Sequence, residues 1–336
     1  MKSHLHALAP GLRLFPRLVL FAVLAFSIRL LSEQDPAALV RDGKADQALR
    51  TLNSQIQKNP NDAQAYNQLA RVYFQLEHWD DTIRAAEKSV ALSGQTSEYH
   101  QWLGRAYGKK AETVGKFHPI SAISLVRKVK AEFEKAVALD EAGKNLSARA
   151  DLAEFYSEAP SIMGGDKTKA RHLADFVVAR DPALGHSLYG MLLEKQNAKD
   201  KAEQEYKTAI QSSNNLAHYW VNLASFYRRS GRLNDMEAAI NNSLTARREE
   251  GISLFDGAGV LLNAGRNFPE AIKMLRSYLS LEDPVEDGPA FQAHYVLGVL
   301  LEKQGDIKTA VAEYRAALAL ASDYKPAQDA LARIAH

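Results

Sequence analysis

A skeleton of large, small and turn-forming residues returns along this chain about every 34 residues, and no single copy is long enough to close a core of its own. The stretch "YWVNLASFYRRSGRLNDMEAAI" from Tyr219 and the stretch "HYVLGVLLEKQGDIKTAVAEYRAAL" from His294 share it: a large residue, a small apolar pair, then Gly, then Ala. Between turn residues the apolar positions fall at helical spacing, and a strand signal is almost absent. The expectation is an all-α fold of stacked helix pairs. Each pair exposes an apolar face until a neighbour covers it, so stability is a sum of nearest-neighbour interfaces. Aromatics at these spacings are expected to be core.

The recurring residues resemble those of the tetratricopeptide repeat (TPR), whose pattern runs W-x2-L-G-x2-Y, then A-x3-F and a later Pro. Matching first helices hold Tyr66, Leu69, Ala70 and Tyr73; Leu103, Gly104 and Tyr107; and Trp220, Leu223, Ala224, Tyr227 and Gly231. Matching second helices hold Ala202, Tyr206 and Ala209, and Ala310, Tyr314 and Ala317. The resemblance implies a right-handed superhelical solenoid of antiparallel helix pairs across residues 35–336. It would contain about seven full repeats, starting near Ala63, Ser97, Leu146, Ala183, Ala217, Ile252 and Phe291. Gly43, Ala48, Leu52 and Pro60 mark a partial N-terminal repeat, and residues 325–336 form a C-terminal cap helix.

Residues 1–31 read differently. Lys2, Arg13 and Arg17 precede "LVLFAVLAFSI", residues 18–28, a run of 11 without a charge that ends at Arg29. A membrane-spanning helix needs about 20 apolar residues and the apolar region of a signal peptide about 7 to 15. The segment is expected to be a signal peptide or a short membrane anchor, making the protein exported, periplasmic or secreted, or tethered to a membrane by an uncleaved N-terminus. With Lys2, Arg13 and Arg17 set aside, 39 basic residues face 40 acidic ones, a balance that argues against a nucleic-acid partner. The sequence has no cysteine, which excludes disulfides, thiolate zinc sites, thiol nucleophiles and a lipid-modified N-terminal cysteine.

The period is broken at two places. Nine positions should separate Tyr107 from the small residue of its second helix; the matching residue is Val129, an excess of 13, which places an insertion at about 109–128. In the next repeat Tyr156 and Ala170 are 14 apart, an excess of five, which falls in "SEAPSIMGGDKTKA" at about 157–167. Gly164, Gly165, Lys167 and Thr168 hold the ingredients of a phosphate loop but not its order, because the glycines adjoin and Asp166 intervenes. A turn is expected instead, with Pro160 stopping one helix and Asp166 capping the next. Both insertions occupy the same position in consecutive units. Phe117, His118, Ile162, Met163, Gly164 and Gly165 are therefore candidates for a joint surface feature, independent elaborated turns being the other reading. The "AP…GG" turn also resembles that of exported bacterial TPR proteins without an assigned activity.

No convergent catalytic set is visible: HExxH, GxSxG, EF-hand and Walker motifs are all absent from the sequence. No catalytic, cofactor-binding or metal-binding residue is expected. His100 and His294 stand at a structural repeat position; His118 and His172 flank the insertions without carboxylate partners. What remains is a groove. The resemblance implies that first helices line a concave face, placing Asn67, Arg71, Gln101, Arg105 and Lys109 inward at one end, Glu154 and Glu158 next, and Arg228 and Arg229 further along. Such cations and amides could clasp an extended peptide by its backbone or carboxylates. The family's inward lysine for chaperone C-termini is not reproduced, since Asn67 and Gln101 occupy its position. The expected function is a noncatalytic scaffold or adaptor for other proteins or extended peptides, without nucleic acid and with membrane contact only through the N-terminal segment. The alternative is a ligand- or metal-binding module, or an enzyme-associated subunit, using the two insertions.

Overall fold

Asp62, Asn145, Asp181 and Asp306 each direct a side-chain oxygen onto a backbone N–H three residues ahead, at 2.9 to 3.1 Å, and a helix begins after each one. These caps satisfy donors that have no partner within the helix. Many first helices end through a residue in the left-handed region, among them Asn197, Gly231, Gly265 and Gly305, which lets the chain reverse into its antiparallel mate.

The computed structural model describes residues 35–116, 118–281 and 285–335. The apolar run at 18–28 and Phe117 lie outside them. Among the described residues there are 17 α-helices and no strand, apart from an isolated bridge between Leu216 and Arg247. A leading pair, α1 (Pro36–Arg41) and α2 (Ala45–Lys58), is followed by α3 (Ala63–Gln75) with α4 (Trp79–Leu92) and α5 (Ser97–Gly115) with α6 (Pro119–Leu139). Next come α7 (Leu146–Glu158) with α8 (Lys167–Val178), α9 (Pro182–Lys195) with α10 (Lys199–Ser212), and α11 (Ala217–Arg229) with α12 (Leu233–Thr245). Helices α13 (Ile252–Ala264) with α14 (Phe268–Leu279) and α15 (Ala290–Lys303) with α16 (Ile307–Leu320) complete the array, and α17 (Lys325–Ile334) closes it. Each pair packs on its own partner and on the next pair, the arrangement of a solenoid.

Small residues at the crossings permit this. Ala70, Ala153 and Ala224 are fully buried on first helices, and Gly298 takes the corresponding place on α15. A Cβ there would lie 2.6 Å from the Tyr314 ring of α16. Tyrosines fill the wedges between units and end on a carboxylate of the unit before: Tyr107 on Glu87 at 2.5 Å, Tyr156 on Glu134 at 2.6 Å and Tyr227 on Glu203 at 2.9 Å.

The ends of the array meet. Phe291 and Tyr324, from the last pair and its cap, belong to the same buried cluster as Leu39, Val40 and Leu52 from the first. Gly43, at φ +65°, runs so close to the far end that a Cβ would lie 2.6 Å from the Ala290 nitrogen. Polar contacts follow the seam: Ser322 N–H donates to Asp46 at 3.0 Å and Gln292 Nε2 to the Gln75 carbonyl at 2.8 Å. Residues 325–336 are expected from the sequence to close the chain as a cap helix. That helix exposes polar residues, but Ala327 is wholly buried, and in the cluster that joins the two ends.

Phe291 is fully buried at this seam, and removing a phenylalanine side chain from such a site costs about 3 to 5 kcal/mol. Phe291→Ala is expected to lower unfolding free energy by that amount in urea titration. A loss under about 1 kcal/mol would show that the seam does not pack as described.

Candidate binding cleft

The second broken repeat supplies one wall of the main cleft. Helix α7 stops at Glu158, a 3-10 turn spans Ser161–Met163, and Asp166 caps α8 by accepting from the N–H groups of Thr168 and Lys169 at 3.0 and 3.1 Å. The paired glycines serve this corner: Gly164 has φ +94°, and a Cβ on Gly165 would fall 1.8 Å from the Ala159 carbonyl oxygen. The turn packs on α6, with Gly164 beside the Lys130 side chain. Ile162 is 92% exposed, while Met163 faces the cleft. His118 is exposed. The first excess is spent on length, since α5 and α6 run for 19 and 21 residues.

A cleft of about 860 Å³ lies along α3, α5 and α7, reached from the far end by the segment before α15. Phe74, Trp79, Trp102 and Phe155 give it an aromatic wall. Trp79 and Trp102 each meet Phe74 edge-on, with centroids 5.4 Å apart. Seven carboxylates line it (Glu77, Glu112, Asp151, Glu154, Glu158, Glu286 and Asp287) against two cations, Arg105 and Lys109. A chain with a formal net charge of +2 is thus strongly acidic here. A second cleft of about 400 Å³, against α11 and α13, shares Asp287 with the first and adds His218 and Asp256.

The cations expected to clasp a partner are mostly held by the chain itself. Arg71 donates through Nε to Glu286 at 2.6 Å and through Nη1 to Glu98 at 3.0 Å, with a further bond from Nη2 to Glu286. Arg105 grips Asp151 at 2.7 and 3.3 Å. Both guanidinium groups also lie over the Trp102 ring, 5.3 and 5.1 Å from its centroid. Lys109 pairs with Glu112 at 3.1 Å, and Arg229 with Glu194 at 2.7 and 2.8 Å. Gln101 donates to Ser147 at 2.9 Å and to Asp151 at 2.8 Å; Asn67, almost fully buried, donates to Glu98 at 3.3 Å. Arg228 differs, because its Nε is buried without a partner among the described residues. Asn67, Gln101, Arg105 and Arg229 therefore brace neighbouring repeats, Arg71 also reaches across to Glu286, and Lys109 pairs within α5. Glu286, Asp287 and Trp102 went unmarked in the sequence: the first two stand between repeats, and Trp102 reads as a core aromatic.

Three carboxylates of the main cleft, Glu77, Glu154 and Asp287, make no ion pair or side-chain hydrogen bond among the described residues, and the same is true of Asp256 in the second. Glu154 remains open to water at the floor of the concavity, yet protein surrounds it. Burial raises its pKa, and neighbouring Glu158 and Asp151 raise it further. His218 is lowered by burial, against the opposing effect of Asp287. Burial, with Asp287 nearby, pushes Asp256 up to about 7. The histidines at structural positions are engaged, His100 with Glu132 at 2.6 Å and His294 with Glu313 at 2.7 Å. Among the described residues no three His, Asp or Glu side chains converge to hold a metal ion.

Residues 257–325, covering α14 to α16 and most of α13, match the tetratricopeptide-repeat family. This part of the chain is built of tetratricopeptide repeats. Tetratricopeptide repeats generally mediate protein–protein interaction and are typically noncatalytic. A curated relative is the cytochrome c-type biogenesis protein CycH of Bradyrhizobium diazoefficiens, 30% identical over 141 residues, or 42% of this chain. The chain spans about a third (34%) of that relative's length. Similar solved structures include a thermophilic TPR protein of Thermus thermophilus, 18% identical with a TM-score of 0.48, covering 58% of this chain and 98% of that one. Another is a TPR protein of Parabacteroides merdae, 12% identical with a TM-score of 0.44, covering 79% of this chain and 96% of that one.

An acid whose pKa rises on folding binds protons more tightly when folded, so its ionisation costs stability. For Asp256 the cost is absent below the ordinary value of 3.8 and complete above about 7. Asp256→Asn is expected to melt higher than wild type at about pH 8 and equally at about pH 4. Calorimetry at the two pH values checks this, and an equal shift at both would contradict the assignment.

Proposed function

We propose that this TPR protein is a noncatalytic scaffold that holds another polypeptide along the concave side of its first helices. The observation that carries this reading is the main cleft itself, lined by the first helices α3, α5 and α7 together with Trp79, Val129 and Phe133 of second helices, walled by aromatics and sharing Asp287 with a second cleft. Elongated, part-apolar surfaces of this kind suit an extended or helical segment of a partner. The relative that acts in cytochrome c-type biogenesis supports a role in assembling other proteins.

We place the protein outside the cytoplasm, in the cell envelope, either released or held by its N-terminal segment. The support is the order of basic residues, eleven-residue run and polar continuation at the start of the chain. Among the described residues no helix is long and apolar enough to cross a membrane.

A photo-crosslinking residue at Glu154, on the cleft floor, is expected to trap a discrete polypeptide in cells that make the protein, whereas the same residue at Gln204, exposed on α10, traps none. Equal labelling from both positions, or none from Glu154, would contradict concave-side binding. Fractionation of the same cells is expected to find the protein outside the cytoplasmic fraction; recovery in the cytoplasm would remove the envelope assignment.

A further inference from the structure

The cleft has a charge preference that the sequence pattern does not show. Its two cations are consumed internally, Arg105 by Asp151 and Lys109 by Glu112. Arg71, just behind the wall, is consumed by Glu286 and Glu98. Glu158 is taken by Lys195. After these pairings Glu77, Glu154 and Asp287 are left over among the described residues, so the free charge there is negative. Electrostatic complementarity between surfaces rejects like charge more firmly than it rewards opposite charge, so an acidic partner is disfavoured here.

A second, independent observation calls for a hydrogen-bond donor in the occupant. Gln75 lines the cleft and is only 6% exposed, with its Nε2 donating to the Val40 and Glu286 carbonyls at 3.2 and 3.0 Å. Its Oε1 is buried and accepts from nothing among the described residues. A buried carbonyl oxygen left unpaired is costly, and what satisfies it is a donor. Arg and Lys side chains, and backbone N–H groups, are donors. The half-buried rings of Phe74, Trp79 and Phe155 add faces that attract cations and apolar groups alike.

We propose that the cleft receives a cationic, extended polypeptide segment, its Arg or Lys side chains against Glu154 and Asp287 and its intervening apolar side chains against Phe74, Trp79 and Phe155. This rests on the scaffold reading above and adds the chemistry of the partner. Length favours a polypeptide over a compact amine. The main cleft already lies near the top of the range of about 300 to 1,000 Å³ that suits drug-sized ligands, and Asp287 links it to a second acidic cleft.

Fluorescence anisotropy on the full chain tests this with three probes: a short peptide alternating Arg or Lys with Trp or Leu, its counterpart with Glu at every basic position, and spermine as a competitor. The cationic peptide is expected to bind, to weaken as salt is added, and to lose about tenfold in affinity on the double change Glu154→Gln and Asp287→Asn. The Glu peptide is expected not to bind, and spermine to compete only weakly. Both substitutions are near-isosteric and remove unpaired charge; a melting curve of the variant confirms that it remains folded. Unchanged affinity in the variant, equal binding of the Glu peptide, or spermine as tight as the peptide would each overturn the proposal. If the Glu peptide alone binds while position 154 still traps a polypeptide, the scaffold reading stands and only the cationic preference falls. If neither peptide binds and position 154 traps nothing, both fall.

Discussion

Everything in this molecule depends on how closely paired helices approach. Where Gly298 faces Tyr314, or Ala70, Ala153 and Ala224 lie wholly buried, the second helix rests against backbone rather than against a side chain. That leaves the tyrosines free to reach the next unit, where Glu87, Glu134 and Glu203 accept their hydroxyls. A larger residue at a crossing would push the pair apart and tilt every later unit. Because the units are added in series, small angular changes accumulate along the array.

The accumulated rotation brings the last pair back to the first. Phe291 and Tyr324 then share a core with Leu39, Val40 and Leu52, and Gly43 provides the clearance for that contact. Closure also has an electrostatic consequence. It carries Glu286 and Asp287 to the concave side of α3, where Glu286 neutralises Arg71 and Asp287 stays unpaired. The same step that buries the ends converts a groove with basic positions into a cleft whose free charges are acidic. Packing, charge and the proposed partner are thus linked through one seam.

The local architecture was legible in the chain because it repeats. First helices that begin at Ala63, Ser97, Leu146, Ala217 and Ile252 follow directly from the skeleton, and the corner at Gly164 and Gly165 follows from turn chemistry. The seam was not legible, since a contact such as Arg71 with Glu286 spans 215 positions and leaves no periodic trace. Nor was the fate of the groove cations, because inward position says nothing about which carboxylate stands opposite. Arg105 meets Asp151 from the next first helix, and Arg229 meets Glu194 from the preceding one. Trp102 was hidden for a different reason: it is buried, as a core aromatic should be, and lines the cleft as well.

The central claim is that the two ends meet. The sequence contains no cysteine, so spin labels can be attached at Gln47→Cys and Ser322→Cys alone. Both positions are exposed and adjoin the contact between Asp46 and the Ser322 N–H. Pulsed electron–electron distance measurement is expected to give one narrow distribution at the short limit of the method. Helix axes in contact lie about 8 to 10 Å apart, so an array open at its ends would instead hold these labels several tens of ångströms apart. A long or broad distribution of that kind would contradict closure.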